Sequence, residues 1–282
     1  MAIDYEKEYD NRARVKEHPE IFARWDKEAA AYRERAQTHG ARLTVPYGLS
    51  PRQAYDYFPA SGDGKDTPLA MFVHGGWWRS LERAKFSQMA RGPNAHGVSV
   101  AVAGYDLCPH VRIAIILDQV RTAVLSLWRV HAKRVTVYGH SAGGHLAAAM
   151  LVQDWPRFAA GAPANLVPAA YAISGLFDLA PLIHVSQNAD LKLDAEEARR
   201  LSPVHWPAPN GRILDAVVGE EESSEFLRQS KTIAETWARG GLETRYEALP
   251  GRNHFTIVDP LSDPRSAMTA RVVALARHSH WL

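Results

Sequence analysis

The chain is short of several things, and each shortage excludes a class of function. It has one cysteine, Cys108, in 282 residues. A lone thiol forms no internal disulfide and builds no thiolate metal site, so stability must come from a hydrophobic core. It has no long apolar run. No segment reaches the roughly 18 residues that span a bilayer. The opening MAIDYEKEYDNRARVKEHPE mixes charges of both signs and lacks the apolar stretch of a secretory signal. It has no excess of charge either. With 33 Lys and Arg against 31 Asp and Glu, the formal net charge is +2, and no basic block is interleaved with aromatics, so no bulk field favours nucleic acid or a membrane. There is no H-E-x-x-H pair, internal repeat or low-complexity linker. These absences predict a cytoplasmic protein acting on a small molecule, without metal or cofactor.

What is present reads as one large α/β domain. Apolar residues make up 46% and charged residues 23%, as in ordinary globular proteins. No composition shift marks a boundary, so residues 1–282 are expected to form a single unit. Residues 1–40 should supply one or two surface helices, with Ile21, Phe22, Trp25, Ala29 and Tyr32 at helical spacing. Strands are expected at 52–60, 68–76, 98–107, 134–139, 168–175, 213–219 and 244–251. Helices are expected at 113–131, 142–153, 223–241 and 264–278. Fully apolar strands alternating with helices mean a mostly parallel sheet covered on both faces. The proline-rich stretch 176–211 is expected to cross the top of the sheet as a small cap. The amphipathic terminal helices offer a surface for a homodimer.

Chemistry concentrates at two strand ends. Gly139-His140-Ser141-Ala142-Gly143 fits G-x-S-x-G where a strand pattern becomes a helix pattern. A serine on that sharp turn presents its Oγ at the top of the sheet, and the flanking glycines let neighbouring backbone approach. The Ala142 N–H then faces a developing oxyanion. The bland alternative is an N-cap serine in a glycine-rich turn. The second motif, FVHGGWW (72–78), ends another buried strand. His74-Gly75-Gly76 resembles an oxyanion loop, with Gly75, Gly76 or Trp77 as the second amide donor.

The fold order nucleophile, acid, base points to His254, in LPGRNHF after the last strand. His140, His145, His74, His278 and His280 fit the base less well. The acid belongs after the 213–219 strand, where Glu222 is the first choice. Asp178 and Asp215 are alternatives, and a solvated acidic helix start capped by Ser223 or Ser224 is the bland one. Trp77, Trp78, His140 and Phe177 are candidate substrate contacts, with Tyr105 and Phe255 as further aromatics near the cleft. Cys108 reads as a buried structural thiol.

Taken together, HGGWW, GHSAGGH, ISGLFDLAPL, LSP, VGEEESSEFLRQS and PGRNHF resemble the α/β-hydrolase branch of kynurenine formamidase-like (arylformamidase-like) enzymes. The resemblance covers roughly residues 45–280, and DYEKEYDNRARVKEHPEIFARW resembles the leader of bacterial members. It implies an α/β-hydrolase fold, an oxyanion loop at His74, Gly75, Gly76 and Trp78, a nucleophile at Ser141 and a base at His254. The family's acid is normally Asp where this chain has Glu222. The implied reaction is hydrolysis of a small aryl ester or an N-formyl arylamine. The alternatives are a carboxylesterase for an unrelated small ester and a hydrolase-fold binding protein that has lost catalysis.

Overall fold

The computed structural model describes residues 3–281. Eight strands form one sheet: β1 (Arg42–Pro46), β2 (Ala54–Phe58), β3 (Leu69–Val73), β4 (Ser99–Ala103), β5 (Val135–His140), β6 (Ala169–Ile173), β7 (Ile213–Gly219) and β8 (Glu243–Leu249). Their spatial order is β1-β2-β4-β3-β5-β6-β7-β8. The pairs β1–β2 and β2–β4 are antiparallel and the others parallel.

The six inner strands, β2 to β7, are buried at every position and almost wholly apolar because each buries both faces. Leu69, Met71 and Val73 of β3 enter one core, while Ala70 and Phe72 enter the other. The strand period of two divides every central strand in this way. On the first face β4 and β6 present only alanines, Ala101, Ala103, Ala170 and Ala172. The alanines of β6 help admit the helix Ala142–Leu151, AGGHLAAAML, which packs on β5 and β6 and is buried at every residue. The helix Ser224–Arg239 covers the same face with a stripe of Phe226, Gln229, Ser230, Ile233, Ala234 and Trp237, the i, i+3, i+4 pattern of an amphipathic helix.

The opposite face is covered by His18–Gln37 and Ala267–Trp281. Ion pairs tie the first of these down. Arg33 and Arg83 both meet the fully buried Asp56 of β2, and Arg24 reaches Asp259 at 2.8 Å. The short helices Tyr5–Tyr9 and Asn11–Arg14 precede it, so this region holds three helices rather than one or two. β1 was not expected from sequence. It is a short edge strand of alternating exposure ending in Pro46, and its signal is too brief to separate from a loop.

Asp215, an alternative triad acid, lies inside β7 and is fully buried. Both its carboxylate oxygens are held by Arg271, at 2.6 and 2.9 Å. Removing the cation leaves an uncompensated buried charge. Arg271→Ala is expected to lower stability by roughly 3 kcal/mol, measured by urea denaturation. Because Arg271 is itself partly exposed, a loss under 1 kcal/mol would show that water reaches the Asp215 carboxylate.

Candidate active site

The site sits at the C-terminal ends of β3, β5, β7 and β8, and is built by backbone approaches that exclude side chains. Ser141, between β5 and its helix, has φ 57° and ψ −119°, a conformation costing of the order of 1–3 kcal/mol for a non-glycine residue. Its neighbours make the turn possible. A Cβ on Gly143 would lie 2.0 Å from the Val73 carbonyl oxygen, and one on Gly139 2.2 Å from the Gly143 carbonyl oxygen. The Ser141 amide donates to the Ile173 carbonyl at 2.8 Å, which pins the turn to β6. Ser141 therefore has no side-chain capping bond to its helix, unlike the bland N-cap reading.

Two hydrogen bonds link three distant segments. His254 Nε2 lies 3.1 Å from Ser141 Oγ, and His254 Nδ1 lies 2.6 Å from Glu222 Oε2. All three residues are buried. The other carboxylate oxygen, Oε1, accepts from the Gly219 amide at 2.7 Å and from Ser174 Oγ at 2.5 Å. The bland reading of the acidic loop holds as well: Ser223 is the N-cap of the following helix, while Glu222 beside it turns inward. Asp178 is placed elsewhere, with its carboxylate on the Ala180 amide and Arg228. The loop carrying His254 is shaped by Asn253, whose Oδ1 accepts from the Phe255 and Thr256 amides.

His140 holds the same loop from the other side. Its Nε2 contacts the His254 carbonyl at 2.8 Å. A carbonyl only accepts, so Nε2 carries the proton and Nδ1 the lone pair. Burial, and then His254, push the His140 pKa well below its ordinary value, so the ring is neutral.

The glycine loop after β3 lies directly against the serine. A Cβ on Gly75 would be 3.0 Å from Ser141 Cβ and 2.8 Å from the His140 carbonyl oxygen. Gly76, at φ +104°, and Trp77, at φ 58°, continue in left-handed conformations. The Gly76 carbonyl closes the turn by accepting from the amides of Arg79 and Ser80. Among the described residues, the amides of Gly76 and Trp77 donate to nothing, and the Ala142 amide, at the first position of its helix, has no intrahelical acceptor. Tyr105 and His74 support the loop from below. Their rings stack at 4.3 Å, and the Tyr105 hydroxyl donates to the His74 carbonyl at 2.8 Å.

Above Ser141 and His254 lies a cavity of about 160 Å³, close to the 150 Å³ that accommodates a benzene ring in an apolar core. Trp77, His140 and Phe255 line it, as expected from sequence. Trp78 and Phe177 do not. Trp78 is fully buried, edge-on to His145 at 5.1 Å, and Phe177 is fully buried under Gly175. The left-handed Trp77–Trp78 pair sends the first indole to the cavity and the second to the core. Tyr105 supports the loop and does not line the cavity. From 176–211 only Gln187 reaches the lining. The roof comes instead from Tyr9, Asp10, Asn11, Arg12, Phe22 and Trp25 of the N-terminal helices. Sequence reasoning did not select these residues. Their one signal was the resemblance of that leader to bacterial members of the branch.

The fold and the site define an α/β hydrolase. The sequence matches the α/β-hydrolase family model over residues 70–257. It is 32% identical to the kynurenine formamidase of Salmo salar over 78% of this chain and 77% of that one. It is 26% identical to the kynurenine formamidase of Drosophila melanogaster over 78% and 80%. A candidate thioesterase from Silicibacter sp. TM1040 superposes with a TM-score of 0.85 at 32% identity, over 97% of this chain and 100% of that one. The chain thus belongs to the kynurenine formamidase-like branch of the α/β hydrolases and is a hydrolase of esters or formamides. Among the described residues, no helix is long and apolar enough to cross a membrane.

The buried histidines give the site an acid limit. Burial pushes His74 down to about 3 and His145 down to about 4, with His140 also lowered. In the unfolded chain each ring titrates near 6.5. As pH falls from about 6.5 towards 4, the unfolded state binds more protons than the folded one, so stability drops. Above about pH 7 the rings are neutral in both states and the effect vanishes. Each histidine contributes up to about 1.4 kcal/mol per pH unit in that window. Urea midpoints at pH 7, 6 and 5 should fall steadily. His145→Gln should flatten the dependence by about one proton, and an unchanged slope would contradict the assignment.

Proposed function

We propose that Ser141 is the nucleophile, His254 the general base and Glu222 the orienting acid of a serine hydrolase cleaving a small aryl ester or an N-formyl arylamine. The observation that carries this reading is the pair of hydrogen bonds, Glu222 to His254 to Ser141, closing at the floor of an aryl-sized cavity.

The geometry supports the following steps. His254 Nε2 takes the Ser141 proton as Oγ attacks the carbonyl carbon. The carbonyl oxygen becomes an oxyanion, held by the Ala142 amide and by the amides of the Gly75–Trp77 turn. One such donor is typically worth 100- to 1000-fold in rate. His254 then gives its proton to the leaving oxygen or nitrogen, which departs as a phenol or arylamine and leaves an acyl or formyl ester on Ser141. Water, deprotonated by the same imidazole, releases the carboxylic or formic acid and restores the hydroxyl. Glu222 holds Nδ1–H and stabilises the imidazolium without taking its proton. An arylamine leaves poorly, so protonation by His254 matters more for a formamide than for an aryl ester.

The formamide arm is supported by the three curated relatives that are kynurenine formamidases, from Salmo salar, Danio rerio and Drosophila melanogaster. The ester arm is supported by structural neighbours such as the Pyrobaculum calidifontis esterase. Glu222 in place of the family's usual Asp is accommodated because Ser174 and Gly219 fix its far oxygen.

Hydrolysis of N-formyl-kynurenine, p-nitrophenyl acetate and a longer-chain ester by wild type and Ser141→Ala tests the reading. Serine-dependent turnover of the formamide is expected. Turnover of small esters alone would make the enzyme a carboxylesterase, and full activity in Ser141→Ala would refute the mechanism. Glu222→Gln is expected to reduce kcat by about 1000- to 10 000-fold, with Asp178→Asn within about threefold of wild type. The reverse order would move the acid to Asp178.

A further inference from the structure

The cavity roof holds a polar side chain for which the fold has no use. Asn11 is 4% exposed and lines the cavity, yet neither its Oδ1 nor its Nδ2 has a hydrogen-bond partner. It does not cap its helix. That task falls to Asp10, whose Oδ1 accepts from the Ala13 amide at 3.0 Å. Nor is the segment loosely held. The Tyr9 hydroxyl donates to Glu225 Oε2 at 3.0 Å and accepts from Gln229 Nε2 at 2.5 Å. Glu8 accepts from Ser224 Oγ and the Glu225 amide, and Glu6 from the amide and hydroxyl of Ser186. A buried amide fixed in place without partners destabilises the fold and calls for an explanation; unlike Gln88, which is also unpartnered, Asn11 faces the cavity above Ser141.

The flanking residues show what that ligand carries. Asp10 and Arg12 line the cavity beside Asn11. The Arg12 guanidinium stands 5.9 Å from the Phe22 ring centroid and pairs with no carboxylate among the described residues. The other lining cation, Arg79, is already bound to Asp190 at 2.6 Å. The strip thus presents a carboxylate, an amide with a free donor and a free acceptor, and an unpaired cation. A plain anion would meet Asp10, and a plain cation would meet Arg12. A neutral aryl ester would leave Asn11 unsatisfied.

We infer that Asp10-Asn11-Arg12 recognises the zwitterionic head of an α-amino acid joined to the aryl group of the substrate: ammonium towards Asp10, carboxylate towards Arg12, and Asn11 hydrogen-bonded to both. The inference rests on the hydrolase reading above and makes the N-terminal segment the specificity element of the enzyme. Asn11 acts through binding and takes no part in the bond-breaking steps.

Two substrate pairs, each differing only in the head group, test it. They are N-formyl-L-kynurenine against 2-formamidoacetophenone, and O-acetyl-L-tyrosine against p-tolyl acetate. Wild type is expected to favour the head-bearing member of at least one pair by about 10- to 100-fold in kcat/KM, the range of a few charge-assisted hydrogen bonds. In Asn11→Leu that ratio should collapse towards one, and in the exposed variant Arg12→Gln it should fall. The Tm of Asn11→Leu should not drop, because the substitution removes an unpartnered buried amide. A ratio near one in wild type for both pairs, or a ratio preserved in Asn11→Leu, overturns the inference. Head-group preference on the ester pair without formamide turnover would sink the formamidase arm of the proposed function and leave this inference standing. Should no substrate turn over, calorimetric binding of L-kynurenine against 2-aminoacetophenone to Ser141→Ala makes the same comparison. Equal affinities there would overturn it.

Discussion

Everything at the C-terminal edge of the sheet depends on a backbone approach too close for a Cβ. The turn at Ser141 brings Gly143 to within van der Waals contact of the Val73 carbonyl, and Gly139 to the same distance from Gly143 itself. A methyl group at either position would separate β5 from β3 or push the helix Ala142–Leu151 off the sheet. With the glycines in place, three consequences follow from one geometry. Ser141 is raised above the strand ends, the Ala142 amide is left without an intrahelical partner, and the Gly75 loop lies against the serine. The helix can sit so close because β6 beneath it presents only alanine on that face and β5 carries Gly139 near its end. The alanine face of β6 and the tight turn at Ser141 therefore serve the same close approach of helix to sheet.

The polar half of the site depends on parallel neighbours. Because β7 and β8 run side by side, their C-terminal loops emerge together. Gly219 has no side chain, so the Arg252 carbonyl passes above it within 2.2 Å of where a Cβ would be. That contact brings Glu222 and His254 into hydrogen-bond range across 32 residues of sequence. His140, locked in one tautomer by the His254 carbonyl, holds the His254 loop against the Ser141 loop. A neutral imidazole serves here as a fixed donor, and burial keeps it so. The same burial makes the site sensitive to acid at a pH where its surface charges are still intact.

Apart from β1, the strands and long helices were legible in the sequence, the inner strands from unbroken apolar runs and Ser224–Arg239 from its clear stripe. The glycine pattern around Ser141 and Gly75 was legible for a steric reason, since only glycine fits there. Placement of aromatic side chains was not. Trp77 and Trp78 are adjacent and chemically identical, and only the local left-handed backbone decides which faces the cavity. Phe177 was drawn to the core by Gly175, whose missing side chain makes room for its ring. The roof was the least legible part. The N-terminal stretch is charged and helical, which reads as a solvated surface, and nothing local marks Asn11 as buried. Its burial arises from tethers to residues around 186 and 225, more than 170 positions away.

The central claim is that Ser141 is a nucleophile activated by His254. Intact-protein mass spectrometry with peptide mapping after exposure to a fluorophosphonate probe tests this most directly. A single adduct is expected on the peptide containing Ser141, formed rapidly in wild type and at least 100-fold more slowly in His254→Ala. No adduct, or an adduct on another residue with Ser141 unmodified, would contradict it.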